Sequence, residues 1–377
     1  MARLDSIAIS GFKSFGTEQQ LSLGDVTVCL GANGAGKSNL ISFFKMLNYM
    51  TTDGLQKYIA KNGMANAVLH FGSSQTKTIS FKLKFSENEW KDTYIADLMF
   101  GMPDSLFFSG EHIIAQQEGH GHDGPIESFL QSAGRYESSL NGSTFENIGV
   151  RNTCQVLKTI LSKCRVFQFH DTSESSRLRN SCYIENGNFL MSDAGNLPAF
   201  LYAMKNKSPN YYRRIVEHIK IMVPQFQDFV LQPSVNNQRN ILLNWIGERG
   251  SEYLFGPHQL SDGSLRYMAL TTLLLQPKET LPDVIILDEP ELGLHPAAIV
   301  ALAGMISIAK KNCQVLLATQ SPKLANQFSA DEIVVVNYDK QKSESVLTRL
   351  DAESLKGWMQ DYTIEELWEK NVFGGRP

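Results

Sequence analysis

Residues 31 to 39 read GANGAGKSN, between an apolar strand-like run, VTVCL at 26 to 30, and a helix-patterned segment, NLISFFKMLNYM. The first eight of them fit G-x-x-x-x-G-K-[ST], and the order strand, glycine loop, helix is what gives that pattern meaning. Gly31, Gly34 and Gly36 let backbone N–H groups turn inward, where they and the positive end of the next helix surround phosphate oxygens. Lys37 then reaches the outer phosphates of a nucleotide and Ser38 holds Mg²⁺; Asn33 and Asn39 belong to the same candidate site.

A second motif supplies acids. VIILDEP, residues 284 to 290, is an apolar strand that ends in two adjacent carboxylates. Successive strand side chains point to opposite sides, so Asp288 is expected to face a metal and Glu289 to act as general base on water. Gln320, ending the apolar run VLLAT, can position water or a phosphate oxygen by hydrogen bonds but cannot take up a proton's charge. A third motif, LSDGSLRYMAL at 260 to 270, places Ser261 and Gly263 at the start of a helix, an N–H-rich end suited to a γ-phosphate. Taken alone, Ser261 or Asp262 also reads as an ordinary helix cap.

Elsewhere the chain changes character. LDSIAIS alternates as a strand, and TISFKLKF, TYIADLMF and SLFFSGEHIIA predict an antiparallel meander between 78 and 114. Residues 115 to 150 turn polar and glycine-rich, which predicts a long surface loop or inserted segment. NTCQVLKTILSKC reads as helix, RVFQFHD as a strand entering a loop, and 197 to 222 as two helices broken at Ser208-Pro209. The last third, from DFVLQP and NILLNWIG to EIVVVNY, alternates strand and helix, the pattern of a parallel sheet covered by helices.

Composition excludes some functions. With 35 Lys+Arg against 39 Asp+Glu, net −4, no global positive field draws the chain to DNA, so any contact needs a local patch. YYRRIVEHIK at 211 to 220 fits a solvated helix face better than such a patch. Five scattered cysteines without a CxxC pair predict reduced thiols in a cytoplasm, and no segment approaches the roughly 20 apolar residues of a membrane span. His120, His122 and Asp123 in GHGHDG lie close enough for a metal, but their glycine flanks disfavour a fixed ligand set.

GFKSF at 11 to 15, GANGAGKSN, LSDGS, LDEPELGLHP at 287 to 296 and LLATQSP together resemble the ATPase heads of the SMC, RecF and OLD class. More narrowly, FHDTS at 169 to 173, LSDGSLR, DEPELGLHP, TQSP and LWEKNVFGGRP resemble compact bacterial ATPases often found in anti-phage defence loci. The resemblance implies an α/β ABC-type P-loop head with an antiparallel β portion, a helical lobe and no long coiled coil, using ATP and Mg²⁺. LSDGS would complete the site of a second subunit, giving a homodimer or a higher even-numbered assembly with ATP at its interface. It places Lys13 near the nucleotide phosphates, where the residue otherwise reads as an exposed strand-end lysine. Glu291, Gly293 and His295 would form a D-loop that speaks across the dimer, and His295 reads equally as a helix-entry residue. For the Q-loop, Gln168, His170 and Asp171 are preferred to Gln116 and Gln117 because their segment leaves a strand. ABC transporters carry a histidine where Gln320 stands, so slow turnover is expected.

These readings divide the chain into an ATPase core from 1–114 and 225–350, an inserted loop and helical lobe at 115–224, and a C-terminal helix and tail at 351–377. Leu367, Trp368 and Phe373 are apolar anchors for docking on the core or on a partner. The expected function is a dimerising ATPase that switches a separate effector, a nuclease or toxin, or acts on DNA. The other reading is a module that holds ATP with negligible hydrolysis. A transporter role is disfavoured because the likeness is to soluble heads, and a GTPase because no N-K-x-D motif occurs.

Overall fold

Every residue of VTVCL is buried, as a strand flanked on both sides and covered on both faces requires. In the computed structural model, which describes residues 2–87, 89–117, 126–131, 134–141, 148–234, 237–247 and 250–374, this strand sits inside a six-stranded sheet. The order is Glu344–Arg349, Ile333–Asp339, Val26–Leu30, Gln314–Thr319, Val284–Asp288 and Cys164–Phe167, all parallel except the Glu344–Arg349 edge. The glycine loop therefore leaves a central strand, and the Gln314–Thr319 strand separates it from the strand that carries the acid pair.

Side chains alternate across this sheet and feed two cores. Val28, Leu30, Ile285, Leu287, Val315 and Leu317 pack with helices Asp262–Leu275 and Pro296–Ala309. Cys29, Val284, Ile286, Leu316 and Ala318 pack with helix Lys37–Met50 and with a second, antiparallel sheet. Truncating one such leucine to alanine costs about 2–5 kcal/mol, so the strand ends that hold the site are rigidly backed.

The antiparallel sheet runs Gln19–Ser22, Arg3–Ser10, Thr78–Glu87, Trp90–Gly101, Ser105–Gln117 and Ile126–Gln131. It contains the expected meander. It also takes a strand from the stretch expected as surface loop, Ile126–Gln131. The helices expected around Ser208-Pro209 form as Leu197–Lys207 and Pro209–Met222, and the second packs on Asp262–Leu275.

Two expectations need correction. DFVLQP and NILLNWIG do not join the parallel sheet: Asn244–Gly247 pairs antiparallel with Phe226–Val230 on one side and Gly250–Phe255 on the other, while Asn237–Ile241 enters another small sheet. The central segment is not a lobe apart either, because its strand Cys164–Phe167 forms the edge of the core sheet. The C-terminal anchors dock on the chain's own core: Leu367 is fully buried, Trp368 nearly so, and Phe373 packs against the same cluster. Cys29, Cys154, Cys164, Cys182 and Cys313 are all free thiols. Among the described residues no helix is long and apolar enough to cross a membrane, and the longest has 15 residues.

Candidate active site

The glycine loop is built by close approach. A Cβ on Gly31 would lie 2.4 Å from the Val336 carbonyl oxygen, and Gly31 N–H donates to the Thr319 carbonyl at 3.2 Å. Gly36 caps the following helix at φ +112°, a backbone that side chains rarely adopt, and a Cβ there would meet Ser345 Oγ at 2.1 Å. Ser345 Oγ donates to the Ala35 carbonyl at 2.7 Å and Asn39 donates to Ser14 Oγ at 2.8 Å, so the GFKSF turn braces the loop. Ser38 and Asn33 are exposed at its mouth.

The Lys37 ammonium donates to the Gly31 and Ala32 carbonyls at 2.7 and 2.9 Å. Burial lowers its pKa, and Glu289, Asp288 and Glu291 oppose that shift. The Lys13 ammonium donates to Ser42 Oγ at 2.6 Å and Asn62 Oδ1 at 3.3 Å. Ser42 lies one helical turn past Ser38 on the same face. Burial and the neighbouring Lys45 lower the Lys13 pKa.

The acid pair divides as strand geometry requires. Asp288 is buried, and Gln168 Nε2 donates to its Oδ2 at 2.6 Å. Gln168 Oε1 in turn accepts from the Lys45 ammonium at 2.7 Å. His170 Nε2 lies 2.8 Å from the Asp288 carbonyl, whereas Asp171 accepts from Ser173 within its own exposed turn. Of the three Q-loop candidates, Gln168 and His170 reach the acid strand and Asp171 does not. Glu289 adopts a left-handed backbone, φ 41°, pinned by its N–H to the Ala318 carbonyl at 2.7 Å, and Gln320 Nε2 approaches its carboxylate at 3.5 Å. A non-glycine residue held there is strained, and such strain concentrates at functional positions.

The expected D-loop is partly inward. Glu291 is buried in its own chain, where Oε1 accepts from Thr319 Oγ1, and His295 Nδ1 accepts from Ala297 N–H as a helix-entry cap. Gly293 stands against the start of the LSDGS helix: a Cβ on Gly263 would lie 2.5 Å from the Gly293 carbonyl oxygen. Ser261 caps that helix, accepting from Ser264 N–H at 3.1 Å, and remains exposed.

Two arginines that sequence reasoning missed hold this assembly together. Arg266 donates to the Phe169, His170 and Leu292 carbonyls, tying the LSDGS helix to the Gln168 segment and to the turn after the acids. Buried Arg179 donates to the Thr172, Pro257 and Leu260 carbonyls and pairs with Asp262 at 2.7 Å. Arg266 stands inside the quoted motif, so its place was a signal; Arg179 had none. Lys45 was missed too, although it lies seven residues past Ser38 on the same helix face. His120, His122 and Asp123 lie outside the described residues.

Comparison with known proteins bears on this arrangement. A family model described as "AAA domain" matches residues 6–239, more than half of the sequence. The chain belongs to this AAA-domain family. A second AAA model, described as "AAA domain, putative AbiEii toxin, Type IV TA system", matches residues 163–326 of the AAA chain. No curated protein matches it. Its fold is that of an SMC head. The crystal structure of the SmcHead bound to the C-winged helix domain of ScpA covers 93% of this chain and 99% of its own, at 14% identity and TM-score 0.59. The Smc head domain with an extended coiled coil, bound to the C-terminal domain of ScpA from Pyrococcus furiosus, covers 96% and 99% at 13% identity and TM-score 0.56. The AAA chain is thus an SMC-like P-loop ATPase fold.

Proposed function

We propose that the chain binds and hydrolyses ATP, pairs with a second copy around the nucleotide, and uses that cycle to switch a separate effector. The observation that carries the hydrolytic reading is the end of the acid strand. Asp288 is buried and oriented by Gln168, while the adjacent Glu289 is turned out through a strained backbone toward Gln320.

The residues fit the substrate and its metal. The loop from Gly31 to Gly36 presents backbone N–H groups and a helix N-terminus to phosphate, and Lys37 adds a charge. The metal donors, Ser38 hydroxyl and Asp288 carboxylate, are oxygens only, the set Mg²⁺ prefers. When bound, Mg²⁺ neutralises charge on the β- and γ-oxygens. Glu289 accepts the proton of the attacking water, Gln320 orients that water by hydrogen bonds, and Lys37 stabilises charge on the γ-phosphate. Gln320 cannot take up a proton's charge, so slow turnover is expected.

The exposed start of the LSDGS helix supports pairing, since Ser261 and Asp262 there are open to solvent and stand at the positive end of the helix, which suits a neighbour's γ-phosphate. The AAA family named for a putative toxin of a type IV system spans the LSDGS motif and the acid strand, which supports a place for this chain in a toxin-class system. Comparing ATP turnover of the purified protein with that of Glu289→Gln tests hydrolysis. Equal rates would remove Glu289 from the mechanism.

A further inference from the structure

Glu291 is a buried group beside the site that the mechanism above does not use. It follows the acid pair and is 8% exposed, its Oε1 accepts from Thr319 Oγ1, and its Oε2 has no hydrogen-bond partner. A carboxyl so placed costs free energy unless the contact it makes is needed.

Thr319 explains the contact. It is fully buried at the end of the strand between the loop strand and the acid strand, and three groups meet on it. Its hydroxyl donates to Glu291 and accepts from Ser321 N–H at 2.9 Å; its carbonyl accepts from Gly31 N–H at 3.2 Å. Gln320, between Thr319 and Ser321, reaches Glu289 at 3.5 Å. The hydroxyl has a single proton, and Glu291 takes it, which leaves the oxygen's lone pairs facing the Ser321 amide. The turn that aims Gln320 is therefore set by a carboxyl that never touches the reacting atoms.

We infer that Glu291 is a positioning residue: through Thr319 it holds the Gln320 turn in register with Glu289 and with the entrance of the phosphate loop. The inference rests on the proposed ATPase reading and deepens it. Burial raises the Glu291 carboxyl above its ordinary range, opposed by the Thr319 hydrogen bond and by Lys37. Glutamine keeps the shape of the side chain, and its amide oxygen can accept from Thr319 in the same way.

The test uses the full chain and three variants, Glu291→Ala, Glu291→Gln and Thr319→Val, the last removing the hydroxyl at nearly constant shape. Glu291→Ala and Thr319→Val are expected to lower kcat by about 10- to 100-fold, as a small misplacement of a water-orienting group does, while ATP affinity changes by less than about threefold. Glu291→Gln recovers most of the lost kcat. A normal kcat in Glu291→Ala, or a loss of affinity in place of kcat, would overturn the inference, and so would a Glu291→Gln variant as slow as Glu291→Ala. Hydrogen exchange at the Ser321 amide gives a readout independent of turnover, expected to speed up about five- to tenfold in Thr319→Val and Glu291→Ala. Faster exchange in the two variants, beside a wild-type protein that does not hydrolyse ATP, would leave the positioning role standing and sink the ATPase reading. Unchanged exchange would sink the positioning role whatever the turnover.

Discussion

Gln168 donates to the Asp288 carboxylate at 2.6 Å, so the edge strand of the core sheet grips the acid at the end of its neighbour. The bond fixes the orientation of the buried carboxylate proposed to hold Mg²⁺. With Lys45 on its other end, Gln168 cannot rotate without losing two partners. Changing Gln168 to Ala is expected to raise the Mg²⁺ concentration needed for half-maximal turnover by about tenfold, the scale at which outer partners of metal ligands act. A Mg²⁺ titration of turnover at saturating ATP measures it.

Glu289→Gln removes the proposed base but keeps the shape of the side chain. Turnover should fall by about 10²- to 10⁴-fold, the usual contribution of a positioned base, with ATP still bound. Single-turnover hydrolysis beside equilibrium nucleotide binding separates the two effects.

Arg179 is nearly buried and donates to three carbonyls of two loops. Arg179→Ala strands those acceptors and frees the start of the LSDGS helix, so stability should drop by about 2–4 kcal/mol. Denaturant unfolding checks the value; a change below about 0.5 kcal/mol, the scale of surface substitutions, would show that the clasp does not hold the helix.

A pH effect follows from Asp92 in the antiparallel sheet. Burial pushes its carboxyl up to about 6, against the hydrogen bonds from Gln116 and Thr153. Because the folded pKa is raised, the associated stability is full below the unfolded value of about 4 and is lost as pH rises through about 6. Asp92→Asn, neutral throughout, should be more stable than wild type by about 1–3 kcal/mol at pH 7.5. That gain should shrink to nothing near pH 4, and thermal melts of both proteins across that window read it directly.

The motifs that bear chemistry were legible because each needs particular residues at fixed spacing. GANGAGKS predicts its strand and helix, LDEP its strand end, and Ser208-Pro209 its helix break, and all three form as read. Pairing between distant strands was not legible. DFVLQP and NILLNWIG are short apolar runs that suit parallel and antiparallel sheets alike, and only their pairing with each other, and of the second with Gly250–Phe255, decides between them. Likewise RVFQF predicted a strand but not its neighbour, so the edge position of Cys164–Phe167 and the reach of Gln168 and His170, but not Asp171, to the acid strand awaited the sheet order. Glu291 read as an outward dimer contact because its burial depends on Thr319, which belongs to a different strand.

The central claim is that two copies close around ATP, each offering its LSDGS helix to the other's loop. Light scattering of Glu289→Gln with and without ATP and Mg²⁺, repeated with Ser261→Arg added, tests it most directly. The account predicts a mass that doubles with ATP and Mg²⁺ and returns to that of the single chain with the added arginine, while ATP binding persists. A mass that nucleotide leaves unchanged, or a dimer indifferent to Ser261→Arg, would contradict it.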